Sequence, residues 1–216
     1  MSATFSPQLL RGGIVILDSD SGRVLRVVEL QYNPDTLSRT LQPQSVPEGA
    51  DRSESMRLKG PPIETIKLEA ELDISDALER PSENSQSVQM GLYPQLAALE
   101  SLVYPDSGRL QTNNDIQSLG TLEILGAPGP LTLFVWSKQR VIPVRLTEIT
   151  VTEEAFDPNL NPIRARISLG MRVLNINDVP YGSKGGSLSM ANHQAKERLA
   201  ASTGGDLARL GIRGLL

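Results

Sequence analysis

The chain has 216 residues, a formal net charge of −4 and a pI near 5.2, so it can bury a core as one larger domain or two small ones. The acidic balance argues against a general nucleic-acid binder, and the absence of cysteine excludes disulfides, thiol nucleophiles and thiolate metal sites. Residues Met1–Pro7 lack the basic and apolar regions of a secretory signal, and no apolar run approaches the roughly 18–20 residues of a membrane helix. We therefore expect a soluble protein that is made in the cytoplasm and does not insert into a membrane.

The N-terminal part of the sequence predicts short strands followed by a loop. Gly13–Leu17 and Arg23–Tyr32 flank a turn rich in Asp, Ser and Gly, which is typical of a hairpin. After the break at Asn33-Pro34, Thr36–Leu41 predicts another short strand. Gln42–Pro62 is polar, rich in proline and without a clear period, so we expect a long loop that becomes ordered against a partner.

The next segment predicts a long amphipathic strand and then one packed helix. Apolar side chains alternate with charged ones over Ile66–Ile74, as in a strand with one buried face. Asp76–Met90 is polar. Beyond it, Pro94 is acceptable in the first turn of a helix, and Pro105 ends that helix. The apolar face of the helix follows the i, i+4, i+7, i+11 spacing through Leu92, Leu96, Leu99 and Val103.

The strongest pattern is a long hairpin between Val141 and Leu174. In Ile163–Val173 every odd position is apolar and every even one is polar or Gly. In the preceding strand the apolar parity changes near Thr147-Glu148, which predicts a β-bulge. Two further strands precede the hairpin, a weaker one at Leu119–Leu125 and a stronger one at Leu131–Trp136.

The C-terminal part differs in composition. Asp178–Leu188 is rich in Gly, Ser and Pro and predicts a flexible linker, and Ala191–Ala201 predicts a short helix. The sequence therefore predicts a mainly β domain over residues 1–175, followed by a linker and C-terminal tail over 176–216. The fold class is a β-barrel or two packed antiparallel sheets with one α-helix and a C-terminal extension.

No catalytic, metal or cofactor-binding constellation is evident in the sequence. His193 is the single histidine and is predicted to be a solvated tail residue. Glu153, Glu154 and Asp157 are adjacent in sequence rather than placed across a cleft. Gly182–Ser187 lacks the spacing of a phosphate-binding loop. We expect no enzymatic activity and no cofactor. The few aromatic side chains are predicted to be core anchors: Tyr93, Tyr104, Phe134 and Trp136.

Charge placement on the two long strands is more informative. The polar face of Ile66–Ile74 is mostly acidic, and that of Ile163–Val173 is basic. Opposite charges across antiparallel strands contribute about 0.2–1 kcal/mol per pair, enough to bias register. Two interpretations remain open: two independently solvated faces, or faces that meet within or between subunits. The candidate subunit-interface residues are Lys67, Glu69, Glu71, Asp73, Arg164, Arg166 and Arg172.

An ordered set of segments resembles the tube/baseplate family of contractile injection systems, the phage-tail-like particles. The resemblance covers roughly Gly13 to Leu174. The segments that carry it are Gln31–Leu37, Gly60–Leu72, Gly91–Leu99, Leu133–Trp136, Pro143–Leu146 and Phe156–Ala165.

The resemblance implies a tail-tube-like fold and a hexameric ring on the particle axis, which joins the spike to the inner tube without chemistry of its own. It implies as partners the chain itself, a spike protein, the inner tube protein and other baseplate subunits. Baseplate adaptors of this family often carry a LysM module after this domain, but no such pattern follows Leu174. Three roles remain open for Ser187–Leu216: it replaces that module, it contacts a neighbouring ring, or it makes no ordered contacts.

The inter-ring contact candidates are taken from the polar loop, the turn of the long hairpin and the break after the first hairpin. They are Tyr32, Asn33, Met56, Arg57, Leu58, Phe156, Asp157 and Asn161. The alternative function is a monomeric β-barrel that binds a small ligand or a glycan. That function predicts a monomer with a ligand cavity.

Overall fold

The computed structural model describes residues 10–18, 21–45, 58–118, 129–205 and 207–211. In this part of the chain, seven strands form one antiparallel sheet in the order β2-β1-β5-β6-β7-β4-β3. The strands are β1 Gly13–Leu17, β2 Val24–Glu29, β3 Leu37–Ser45, β4 Leu58–Asp73, β5 Leu131–Ser137, β6 Arg140–Phe156 and β7 Pro162–Val173. The helices are α1 Ser75–Leu78, α2 Ser85–Met90, α3 Tyr93–Glu100, α4 Ser107–Ser118 and α5 Lys184–Ala201, with a 3₁₀ turn at Leu207–Leu210.

The mainly β class is confirmed, but the sheet is a single open one. Strands β2 and β3 lie at its two ends, and within the described residues they do not pair with each other. The predicted barrel or pair of sheets is therefore replaced by one curled sheet. The described residues contain five α-helices, whereas the sequence predicted one packed helix and a short C-terminal one.

The curl of the sheet is fixed by Gln31, which follows β2. Its side-chain amide donates to the carbonyl oxygen of Asp73 and accepts from the Asp73 amide at 2.8 Å. Asp73 ends β4, which is separated from β2 in the sheet order by β1, β5, β6 and β7. A flat sheet cannot bring these strands together, so the sheet bends until the end of β2 reaches β4.

The core fills the concave side of this sheet. The alternating apolar residues of β4 and β7 are buried there, with α3 covering them through Leu92, Leu96 and Leu99. Because strand side chains alternate between faces, each apolar row lies entirely on the core side. Pro94 lies in the first turn of α3, as predicted, whereas the helix ends at Glu100 and not at Val103. The predicted bulge is confirmed as a register shift between Leu146 and Glu148.

The prediction of a loop over Gln42–Pro62 is wrong at both ends. Gln42–Ser45 continues β3, and Leu58–Pro62 begins β4. Pro43 lies between Gln42 and Gln44, and Pro61 and Pro62 lie between the partners of these two residues, Gly60 and Ile63. The pairing is irregular there, so the missing N–H groups of these prolines disturb few ladder bonds. Residues 46–57, which include Met56 and Arg57, lie outside the described residues, as does the strand predicted at Leu119–Leu125.

The C-terminal helix is longer than predicted. It begins at Lys184, inside the segment interpreted as a linker, because Ser183 caps it by accepting the Gly186 amide at 3.1 Å. The helix contacts β6, and Gly185 and Gly186 are buried. Two small residues at the contact explain why a composition rich in Gly and Ser still forms a packed helix.

Candidate assembly surfaces

The acidic and basic rows lie side by side within one chain. Antiparallel pairing of β4 with β7 places Asp73 opposite Arg164 and Glu71 opposite Arg166. Arg164 binds Asp73 at 2.8 Å and approaches Glu71 at 3.6 Å. The interpretation of two unrelated solvated faces therefore does not hold for these residues.

The remaining charged residues of the rows have other neighbours. Glu69 lies opposite Ser168 and Lys67 opposite Gly170. Arg166 is 3.7 Å from Glu154 of β6, so the basic row is shared between two acidic strands. Arg172 lies opposite Thr65 and binds Asp178 at 2.7 Å, away from the acidic row.

The carboxylate of Asp73 contacts both Ser75 and Arg164 on this surface. Its pKa is lowered first by hydrogen bonds from Ser75, whose amide lies 2.7 Å from the carboxylate, and then by Arg164. The same carboxylate therefore binds the first residue of α1 and Arg164 of β7. Lys67, Glu69 and Glu71 are exposed along the same strand.

The turn between β6 and β7 is built around Asp157. Its carboxylate accepts the amides of Asn159 and Asn161 at 2.7 and 2.8 Å and the side-chain amide of Asn161 at 2.8 Å. These bonds, first that from the Asn161 side chain, lower the pKa of Asp157. The turn is preorganised, and it presents Phe156 and Leu160 to solvent.

The turn also rests on the helical layer. Leu160 has φ +64°, and its carbonyl oxygen accepts from the Tyr93 hydroxyl at 3.4 Å. Asn161 donates to the Gln89 carbonyl oxygen, and the Leu92 amide donates to that of Pro162 at 2.9 Å. The tip of the hairpin is therefore fixed relative to α2 and α3.

The predicted inter-ring residues separate into two kinds. Asn33, Asp157 and Asn161 have structural roles within the chain, since Asn33 accepts the Gly12 amide at 2.9 Å and donates to the Leu10 carbonyl oxygen at 2.7 Å. Exposed apolar or aromatic side chains form the second kind: Tyr32, Leu58 and Phe156.

These exposed residues lie at opposite ends of the long strands. Tyr32 follows Gln31, which binds the Asp73 end of β4, and Phe156 pairs with Pro162 beyond that end. Leu58 begins β4. The sixteen residues of β4 span about 50 Å at 3.3 Å per residue, so the two groups lie far apart on the molecule.

The edge strand β2 carries exposed apolar side chains. Val24, Leu25 and Val27 are 55%, 49% and 53% exposed, whereas Val28 is buried. At the opposite end of the sheet, β3 exposes mainly polar side chains. The two edges therefore differ in chemistry.

Sequence reasoning missed one buried charged cluster. Glu64 of β4 is only 3% exposed and binds Arg39 of β3 and Lys196 of α5. Its sequence position gives an indication, because Glu64 has the same strand parity as the buried Ile66 and Leu68.

The described residues hold no group of three or more His, Asp or Glu side chains that suits a metal ion. Among them, no helix combines the length and apolarity required to cross a membrane.

Comparison with known proteins gives a distant likeness among solved structures. No family model matches the chain, and no curated protein matches it. Among solved structures, it is similar to a chain from the tail of an empty GTA particle with C6 symmetry. That likeness has a TM-score of 0.27 and 13% identity, and it covers 75% of this chain and 90% of the other. An overlap of this size assigns neither fold nor function.

Proposed function

We propose that this chain is a structural subunit of a phage-tail-like particle, and that it forms a hexameric ring between the spike and the inner tube. The ordered sequence segments that resemble the tube/baseplate family support this role. The single structural observation that carries it is the open sheet formed by the described residues, whose two edge strands, β2 and β3, differ in chemistry.

Such edges are suited to pairing between copies. An exposed strand edge is a template for another chain, and monomeric proteins usually cover or charge it. Here β2 exposes Val24, Leu25 and Val27. Pairing β2 of one copy with β3 of the next is a head-to-tail contact, which closes into a ring when the rotation between copies permits.

The other surfaces have separate roles in this proposal. Glu69, Glu71 and Arg166 stay on an exposed polar face beside the strands that form the ring. Tyr32 and Phe156 at one end of the strands, and Leu58 at the other, contact the layers above and below. These layers are the spike, the inner tube or other baseplate subunits. The role is assembly, without catalysis or a cofactor.

The test is the mass and symmetry of the purified chain, by light scattering and negative-stain imaging over a concentration series. We expect six-fold rings from the wild type, formed alone or after mixing with spike and tube subunits. Val27→Lys places a charge on the β2 edge and should leave the chain monomeric under the same conditions.

Leu110→Lys is the matched control, because Leu110 is 54% exposed and lies on α4, which contributes no strand to the sheet. It should assemble as the wild type does. Rings of another symmetry, or equal loss of assembly in both variants, would contradict the proposal.

A monomeric binding module is the second candidate, favoured by one cavity. It has a volume of about 430 Å³ and lies between β2 and α3, with Val28, Leu30, Leu99, Ile167 and Leu169 among its lining. An apolar lining suits an apolar ligand better than a glycan. Concentration-independent monomers whose thermal midpoint rises with an apolar ligand would favour this candidate over the ring.

A further inference from the structure

Glu64 is a buried carboxylate whose partners come from two other elements. Arg39 of β3 donates through Nε and Nη2 to Oε1 at 2.7 and 2.5 Å, and Lys196 of α5 donates to Oε2 at 2.7 Å. The Glu64 side chain is 4% exposed, compared with 27% for Arg39 and 40% for Lys196. Without Lys196, Arg39 still neutralises the carboxylate, but Oε2 stays buried without the donor that Lys196 supplies, an arrangement that disfavours the docked state.

Helix α5 contacts the rest of the chain mostly through small and polar residues, with two larger apolar side chains, Leu188 and Met190, in its first half. Its less exposed positions are Gly185, Gly186, Leu188, Ser189, Met190, Asn192, Ala195 and Lys196. In the second half of the helix, Leu199 is 54% exposed, and no apolar side chain is buried. The Lys196–Glu64 pair is therefore the main specific contact of that half.

The first turn of α5 is fixed more firmly. Ser183 caps the helix, and a Cβ on Gly186 would lie 2.4 Å from the carbonyl oxygen of Pro180. The preceding turn is held by Asp178, which accepts from Arg172 and from the Asn175 amide. The two halves of α5 thus differ in how they are held.

We propose that α5 is a latch: its first turn is a fixed hinge, and its second half is held on the sheet by the buried Lys196–Glu64 pair. Breaking the pair releases the second half and uncovers Trp136, which lines the space under α5 together with Ile142, Ala195 and Leu199. The uncovered site takes a cationic side chain that donates a hydrogen bond, because Glu64 Oε2 is then a carboxylate oxygen without its Lys196 donor. This inference does not depend on ring formation.

The test uses the full chain and hydrogen–deuterium exchange resolved along α5. Lys196→Ala should raise exchange in residues 192–201 by about 100-fold, as expected when a buried carboxylate oxygen loses its hydrogen-bond donor. Exchange in the first turn of α5 and in β7 should not change. Trp136, the single tryptophan, should show red-shifted emission on exposure.

Two variants and one added cation make the test specific. Arg198→Ala removes an exposed cation from the same helix and should behave as the wild type, as should Lys196→Arg. Propylammonium, which replaces the deleted part of the lysine side chain, should restore protection to Lys196→Ala. Tetramethylammonium at equal ionic strength should not, because it has no N–H to donate.

Equal effects of Lys196→Ala and Arg198→Ala would overturn the latch. So would unprotected exchange of residues 192–201 in the wild type. If Lys196→Ala also raises exchange in β7, the exchange rates of the wild type are decisive. A latch requires that, in the wild type, the second half of α5 exchanges independently of the first half and faster than β7. A single rate along the helix would overturn it.

Discussion

At the residue scale, the clearest departure from ordinary backbone geometry is Leu160. Its φ of +64° is in the left-handed region, and its side chain is 72% exposed, so no packing of that side chain compensates for the cost. The turn is held in place by the hydrogen bonds to Asp157. Leu160 therefore adopts this conformation because its neighbours impose it.

Leu160→Gly should stabilise the chain by about 0.5–1 kcal/mol, because relief of the left-handed penalty exceeds the entropy that glycine adds to the unfolded state. Urea unfolding at neutral pH measures the difference. Leu160→Ala removes nearly the same exposed side chain but keeps the penalty, so it should show no gain. A gain for Ala equal to that for Gly would show that exposure, and not φ, is the cause.

At the element scale, the hairpin tip and the helical layer meet at Gly91, between α2 and α3. Gly91 has φ +57°, and a Cβ there would lie 2.6 Å from the Pro162 carbonyl oxygen and 2.8 Å from Asn161 Cβ. Only glycine satisfies both the backbone conformation and this close approach.

Gly91→Ala should destabilise the chain by about 2–4 kcal/mol, since the left-handed penalty adds to overpacking against β7. Thermal unfolding followed by circular dichroism measures the loss. Gly182→Ala is the control, because a Cβ at Gly182 has no atom within 4 Å. A loss below about 1 kcal/mol for Gly91→Ala would contradict the proposed packing.

Elements with one buried face were predictable from the sequence, and elements with small or polar contacts were not. Strand β7 was predicted almost to its ends, because Ala165, Ile167 and Leu169 alternate with polar residues. The start of β4 was missed, since Pro61 and Pro62 are typical of a loop. Helix α5 was predicted only in its second half, because glycines and polar residues make up much of its contact stripe.

The charged contacts also divide into one that could be predicted from the sequence and one that could not. The pairing of Asp73 with Arg164 was predictable from opposite charges on two long strands, although the sequence left open whether one chain or two supplied them. The Glu64 cluster was not found, because Arg39 and Lys196 reach it from distant sequence positions and α5 had no predicted place in the fold.

At the scale of the whole molecule, Glu64 joins the β3 edge, β4 and the C-terminal helix, so its ionisation affects the complete fold. Burial alone would raise its pKa, but hydrogen bonds and charges from Lys196 and Arg39 outweigh that effect and lower the pKa below its ordinary value of 4.5. The unfolded chain then binds a proton more readily than the folded chain. The stability from this group is complete above pH 4.5 and is lost as the pH falls through the folded-state pKa.

We therefore expect the free energy of unfolding to fall on acidification below that point, measured by urea titration from neutral pH downward. Glu64→Gln should be less stable than the wild type at neutral pH and should lose less stability on acidification. Parallel pH profiles for the two proteins would show that other carboxylates, such as Asp73, account for the acid sensitivity.

The separation of β4 from β7 along the chain has a consequence for synthesis. Strand β4 leaves the ribosome long before β7, its partner over Thr65–Asp73. At a synthesis rate of about 5–20 residues per second, several seconds pass between the synthesis of β4 and that of β7. During this time β7 is not available to pair beside the apolar row of β4, which consists of Ile66, Leu68, Ala70 and Leu72. The charges at Lys67, Glu69, Glu71 and Asp73 separate these apolar residues and act as gatekeepers against aggregation. The alternation that sets the register of the folded sheet thus also protects the nascent chain.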